Sequence, residues 1–304
     1  MSFVQANVNY ATQYARELAN AYPYLSYFGA IYNAENARKY RPVMGKSVAI
    51  PSLTVSGAVA ADRDQITGTF NRNWNNAWQT VTMAQDREWS TLIDPLDMVE
   101  TNEVATIANV TRTFNEQQKV PEMDAYLAAK LGTAAITNSK ADTTALTSAN
   151  ILATWDGYLA TMADARINRD RLIAYMIPSV YKLLKEAAGI TRFIDAGTGI
   201  RNVDRNVGKL DGVTIVEVPA DLMKTAYTFT EGWVAADGAG QINILFIDPE
   251  AVVAPIVYDT AMISAPNAQS KGKYLYYERY YYDVFVLANR KAGVYINYTA
   301  ANPL

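Results

Sequence analysis

The segment from Asp94 to Leu131, DPLDMVETNEVATIANVTRTFNEQQKVPEMDAYLAAKL, constrains this chain more than any other. It reads as one long helical spine with a kink. Asp94 stands where an N-cap belongs, and Pro95 takes the first helical position. Asp97, Glu100 and Glu103 then put negative charge at the positive end of the helix dipole. Val104, Ile107, Ala108, Thr111 and Phe114 recur at helical spacing as a narrow apolar stripe, while Asn109, Arg112, Asn115 and Glu116 are expected to face away, so that only one side is buried. Pro121 lacks a backbone donor, so the helix should bend or break near Lys119 before Met123, Leu127 and Leu131 resume the stripe. At ~1.5 Å per residue, Leu96 to Leu131 would span on the order of 54 Å, longer than a compact domain of this size needs.

The 304 residues suffice for about two domains, and 50% hydrophobic with 19% charged residues is an ordinary globular balance. The formal net charge of -3 includes no long basic or acidic run, so neither a nucleic-acid groove nor a membrane-surface patch is visible. No run approaches the roughly 20 apolar residues of a membrane span, and MSFVQANVNYATQ lacks the charged start and apolar core of a secretory signal. A soluble, non-secreted chain is expected. The absence of cysteine removes disulfides, thiol catalysis and thiolate metal sites, and the absence of histidine removes the commonest general base and metal ligand. Hydrolase and redox chemistry are disfavoured, and no cofactor or metal is expected.

From Met1 to about Tyr40, Tyr10, Tyr14, Leu18 and Tyr22 recur every four positions until Pro23. This is a helix with an aromatic face, either docked on its own core or packed as an arm on a neighbouring subunit. From Val43 to Ile93 the pattern changes to extended pieces. Val48, Ile50, Leu53 and Val55 go out, and Trp78, Val81, Met83 and Trp89 come back, around the turn-rich GAVAADRDQITGTFNRNWNN. A hairpin with so few aliphatics cannot close a core alone, so it must lie on its own domain or on an adjacent copy. In the second case Phe70, Trp74 and Trp78 near its tip are interface anchors.

Thr133 to Thr147 reads as a polar connection and a domain boundary. An alternating region follows. Thr147 caps a helix with Ile151, Trp155, Tyr158, Leu159 and Met162 on one face; Arg171 to Ile177 is a buried strand; Pro178 opens a helix through Leu183 and Leu184 that Gly189 closes. Thr191 to Lys209 is an irregular loop. Val213 to Val218, Ile242 to Ile247 and Ile256 to Ile263 are strands, with a helical turn from Asp248 and Pro249 through Val252 and Val253. Together these make helices on a mixed sheet. After the loop Ser264 to Gly272 comes KYLYYERYYYDVFVLANRKAGVYINYTA, two strands joined around Asn289 to Gly293, with eight tyrosines between Tyr274 and Tyr298. Its Asp283 to Leu287 piece can return to pair beside the spine.

The acidic row Asp94, Asp97, Glu100 and Glu103 could be paired acids or a hard-cation site, but three-residue steps drift around a helix, and capping explains the row more simply. The tyrosine run could stack sugars or single-stranded bases, yet tyrosines on both faces of alternating strands are more simply cross-strand pairs and subunit contacts. Gly197, Gly199 and Gly208 match no phosphate-binding fingerprint.

An aromatic arm, a long hairpin, a bent spine, an α+β domain and a returning C-terminal strand occur here in one order along nearly the whole chain. The most specific stretches are DREWSTLIDPLDMVETN (Asp86 to Asn102), VPEMDAYLAAKL (Val120 to Leu131), LDGVTIVEVP (Leu210 to Pro219) and YYERYYYDVFVLANRKAGVYIN (Tyr276 to Asn297). In this sequence the chain resembles the major capsid protein of tailed bacteriophages, the Hong Kong phage fold that encapsulin shells also use. The resemblance implies an α+β fold divided into an N-terminal arm (1–42), an extended β-hairpin loop (43–93), a peripheral domain with the spine helix (94–145), an axial domain (146–264), and a peripheral loop with strands returning to the axial domain (265–304).

The same resemblance implies a structural protein without catalysis. Its copies would form hexamers and pentamers in an icosahedral virion shell, assembled in the host cytoplasm around double-stranded DNA, with axial domains at the five-fold and six-fold centres. The loop of one subunit would lie over the spine of the next, burying on the order of 2,000 Å² or more per contact. Expected partners are other copies of itself, a separate scaffolding protein and a portal protein, with DNA packaged without sequence-specific contact and no membrane. Lys46 sits at the base of the loop and no lysine lies near its tip, so a lysine-to-asparagine cross-link is not expected. Two other readings are an encapsulin compartment and, from a different class, a carbohydrate-binding or carboxylate-dependent enzyme using the tyrosine strand and Asp97, which turnover lost on Asp97→Asn would support.

Overall fold

The computed structural model describes residues 26–35, 40–42, 46–58, 74–96, 107–187, 194–195, 202–203 and 207–301. Its elements are strands β1 (Ser47–Val55), β2 (Trp74–Thr82) and β3 (Gln85–Ile93), helices α1 (Ile107–Phe114), α2 (Val120–Thr137) and α3 (Ile151–Asp164), then strand β4 (Ile173–Met176) and helix α4 (Pro178–Glu186). Strands β5 (Val213–Glu217), β6 (Gln241–Ile247), β7 (Ile256–Ser264), β8 (Tyr274–Tyr282) and β9 (Val294–Thr299) complete it. Helices and several sheets make it α+β.

The spine is continuous where the sequence suggested a break. A π-helical turn, Asn115–Lys119, joins α1 to α2, and Pro121 lies in the first turn of α2. Proline has no amide to donate and its ring crowds the carbonyl four residues back; a wider turn ahead of it accommodates both without ending the helix. One orientation differs from the sequence pattern. Thr111, Asn115 and Lys119 follow one another on the buried side, so Asn115 faces inward rather than out. Beyond the turn nearly every residue from Val120 to Leu131 is buried, so this half of the spine is covered all round. The helix runs on to Thr137, through residues expected to be a linker. Upstream, Asp94 Oδ1 accepts the Leu96 amide (3.0 Å), as a cap should. Asp97, Glu100, Glu103 and Val104 lie outside the described residues.

Helix α2 and helix α3 pack on a six-stranded sheet ordered Ala141–Asp142, β9, β6, β4, β5, Lys209–Leu210. The pairs Ala141–Asp142 with β9 and β5 with β4 are parallel and the rest antiparallel, so the sheet is mixed as expected. Central β6 is buried from Ile242 to Ile247, an apolar run that suits a strand covered on both faces. Phe246 meets Trp155 (ring centroids 4.8 Å) and Tyr158 of α3. Ile242, beside a bulge, meets α2 at Gly132, where a Cβ would lie 2.8 Å from its Cδ1. Ile151, Trp155, Tyr158, Leu159 and Met162 are all buried, and Thr147 Oγ1 accepts the Asn150 amide just ahead of α3. Asp248 caps a short 3-10 turn, but Val252 and Val253 are extended and pair with Phe285 and Val286. Gly189 lies outside the described residues.

Glycine at position 293 is required by close approach: a Cβ there would stand 2.4 Å from Ala251 Cβ. Gly293→Ala is therefore expected to destabilise the chain by about 1–3 kcal/mol, read from chemical denaturation, because β9 must shift to relieve the overlap.

A second, three-stranded sheet is ordered β7, β8, β3, antiparallel throughout. Tyr276, Glu278, Tyr280 and Tyr282 of β8 are buried, while Leu275, Tyr277, Arg279 and Tyr281 take the other face. The buried row lies under the spine. Lys119 pairs with Glu278, both essentially inaccessible, and its Nζ sits 4.3 Å from the centroid of Tyr280. Glu122 accepts both Nε and Nη2 of Arg87 (2.8 and 2.9 Å) and the hydroxyl of Tyr282 (3.1 Å). The tyrosine strand thus lies beside the spine one segment earlier than expected, through Tyr274–Tyr282 rather than Asp283 to Leu287. Its buried tyrosines face a helix and are not a stacking platform.

Candidate interface on the projecting hairpin

Strands β1 and β2 form the hairpin, in register from Ser47 opposite Thr82 to Val55 opposite Trp74. Its returning limb ends at Thr82. Trp89, read from the sequence as part of that limb, belongs to β3 in the other sheet, where it stacks on Phe114 of the spine (4.0 Å). The two-residue link Met83–Ala84 is pinned: Met83 donates to the Lys46 carbonyl (2.8 Å) and Ala84 to Asp283 Oδ2 (2.9 Å). Lys46 and Arg279 both hold Asp86, and the Arg279 hydrogen bonds, followed by those of Lys46, keep its carboxyl below the usual carboxylate range despite some desolvation. The base of the hairpin is therefore tied to β8.

Strand periodicity sorts the hairpin's side chains. Val48 and Ile50 are buried at the base, where Ile50, Gln79 and Val81 line a groove with Ala134 of α2 and Phe285. On the opposite face the register aligns Pro51 with Trp78, Leu53 with Asn76 and Val55 with Trp74. Beyond Ala49 that face is largely exposed: Leu53 is 61% exposed, Val55 72%, Trp74 51% and Trp78 53%. Neither limb carries a charge from Ser47 to Ala58 or from Trp74 to Ala84. An uncharged strip of two tryptophans, a leucine and a valine on one side of a two-stranded limb has the composition of an interface core.

A second bare strip lies on the outer face of the three-stranded sheet. Leu92 pairs with Leu275, Met262 pairs with Tyr277 beside them, and all three aliphatic side chains are exposed. The charged residues of that face, Glu88, Arg279 and Asp86, fall further along β3 and β8. Of the anchors expected from the sequence, Trp74 and Trp78 stand on the bare hairpin face, while Tyr10, Tyr14, Tyr22 and Phe70 lie outside the described residues. Leu53 and Val55 share the tryptophans' face by strand parity, readable only once the register is known, and Leu92, Met262 and Leu275 meet only through the cross-strand pairs of the second sheet.

Among the described residues no group of acidic side chains could hold a metal ion, and no helix is long and apolar enough to cross a membrane. No protein-family model matches the chain, and no curated protein is similar to it in sequence. Solved structures are similar in fold. A chain of the mature capsid of bacteriophage PhiM1 matches with a TM-score of 0.61 at 15% identity, covering 85% of this chain and 83% of that one. The capsid of cyanophage P-SCSP1u matches with a TM-score of 0.62 at 14% identity, over 86% and 85%. The capsid of Ralstonia phage GP4 matches with a TM-score of 0.52 at 12% identity, over 89% and 87%. The fold is that of tailed-phage capsid chains.

Proposed function

We propose that this chain is the major capsid protein of a tailed phage, a structural protein whose copies build the icosahedral head around double-stranded DNA. The observation that carries the reading is a phage-capsid fold with a hairpin face on which Leu53, Val55, Trp74 and Trp78 are largely exposed and no charge is found. A patch that is not self-complementary, meeting a different surface on the next copy, closes into rings, and rings are the unit of hexamers and pentamers. In this reading the hairpin of one subunit lies over the spine domain of its neighbour. The division into arm (1–42), loop (43–93), peripheral domain (94–145), axial domain (146–264) and returning segment (265–304) belongs to the same proposal. A small net charge of -3 suits a wall that must not grip its genome, since each added phosphate contact strengthens adhesion at low salt. A separate scaffolding protein and a portal protein complete the assembly, which takes place in the host cytoplasm and ends in the virion.

Negative-stain electron microscopy of the purified chain, alone and co-expressed with its phage's scaffolding protein, tests this directly. Closed shells or hexameric and pentameric rings are expected. A chain that stays monomeric under both conditions at high concentration would overturn the reading.

A further inference from the structure

The two edges of the hairpin are protected differently. β1 is covered at Val48 and Ala49 by the short strand Arg41–Pro42. On the other side the sheet ends at β2, which pairs with β1 and with no further strand among the described residues. Every residue of β2 from Trp74 to Thr80 is exposed.

The register and one hydrogen bond fix which backbone groups point where. Ser47 is opposite Thr82, so Lys46 stands opposite Met83, and the Met83 amide donates to the Lys46 carbonyl (2.8 Å). That makes them a hydrogen-bonded pair, and such pairs alternate along an antiparallel ladder. Ala77 and Gln79 therefore turn their amides and carbonyls to β1, whereas Asn76, Trp78 and Thr80 turn theirs outward. The same parity turns Pro51 outward on β1, next after Ala49, where a residue without an amide offers no donor to a further strand. Proteins blunt exposed edges with proline, charge or a covering segment. β1 has a proline and a cover, but β2 carries neither proline nor charge from Trp74 to Thr82.

We propose that the outer edge of β2 is a strand-pairing surface whose partner is the same edge of a second copy, joined antiparallel across a two-fold axis with Trp78 opposite Trp78. This register overlaps all nine residues of both strands, with Trp74 facing Thr82 at each end. Neutrality selects the partner: β2 opposite itself sets no charge against its like, as a charged strand in the same arrangement would. Asn76 falls opposite Thr80, an amide beside a hydroxyl, and the two Trp78 rings form a cross-strand aromatic pair. Directly opposed residues lie on one face, so the tryptophan faces of the two hairpins continue as a single four-stranded surface. The contact uses the backbone edge rather than that face and needs only two copies, so it does not depend on a closed shell.

The chain has no cysteine, so introduced thiols report on this contact alone. In the stated register the Cα atoms of Asn76 and of Thr80 in the second copy lie about 5.5 Å apart, within the roughly 4.4–6.8 Å that a disulfide spans. Full-length Asn76→Cys chain mixed with Thr80→Cys chain under mild oxidation should give disulfide-linked dimers on a non-reducing gel. Each variant alone should give none, because its own thiols stand out of register. Adding Trp78→Lys to both chains sets two ammonium groups opposite each other at the axis and should abolish the link. A mixture that does not link, variants that link as readily alone, or a link that survives Trp78→Lys overturns the proposal. Shells from a chain whose mixture fails to link would leave the capsid reading in place, and linked dimers from a chain that builds no shells would leave the edge pairing in place.

Discussion

Replacing Trp74 and Trp78 together with alanine should leave the chain folded and abolish shells. Both indoles are about half exposed, at 51% and 53%, so truncation costs the isolated fold little. Circular dichroism and the thermal midpoint should match the parent. In the proposed assembly the same indoles become buried anchors, and truncating such an anchor costs about 2 kcal/mol or more, roughly thirtyfold in affinity per contact. Two anchors in every contact of a many-copy ring compound that loss. Asn75→Ala, on the opposite face of β2 across from Thr54, is the matched control and should assemble normally. Normal shells from the double tryptophan variant would refute the hairpin as an interface while leaving the fold untouched.

The second large effect is expected inside the subunit, where the spine meets the tyrosine strand. Lys119→Met should destabilise the chain by about 3–5 kcal/mol, measured by chemical denaturation, because it leaves the Glu278 carboxylate, to which the Tyr276 hydroxyl donates (2.9 Å), at zero exposure without its cation. Adding Glu278→Leu should recover most of that loss, since two apolar side chains of similar volume need no desolvated charge. The contrast matters more than either value. If the double variant is as unstable as the single, the pair is not an isolated ionic contact but part of a network with Tyr280 and Glu122 that neither substitution can replace.

Much of the architecture was legible from residue order. The 3.6-residue stripe gave the spine from Ile107 onward, and the alternation of β8 gave a strand with one buried face. The five-residue face of α3 could likewise be read from Ile151 through Met162. What misled were local rules overridden by their surroundings. Pro121 ordinarily marks a helix end, yet a π-turn absorbs it because the segment beyond is buried on every side and gains more from continuing than from stopping. Thr133 and Thr137 look like linker residues, yet their helix is held by α2 packing on β9 and β6. Trp89 reads from the sequence as part of the hairpin because strand periodicity does not say which sheet a strand joins.

The candidate interface divides in the same way. That Trp74 and Trp78 were unusual, in a limb without charges, followed from the sequence alone. That Pro51, Leu53 and Val55 share their face, and that Leu92, Met262 and Leu275 form a second strip on another sheet, depended on cross-strand registers that no single segment encodes. The anchoring of Ser26 and Tyr27 on Asp124 was invisible for the same reason, since these partners lie 98 and 97 positions away in the chain.

The order of amino acids by itself determined which segments are helical or extended, which side of each is apolar, and that a limb as thin as the hairpin cannot bury its own surface. Those properties are local, set by spacing and by the backbone's own hydrogen-bonding needs. Only the tertiary structure decided which strands pair, which charges are buried against each other and which apolar face is left bare, because each depends on contacts between residues far apart in the chain, whose closure is fixed by the packing of the whole body.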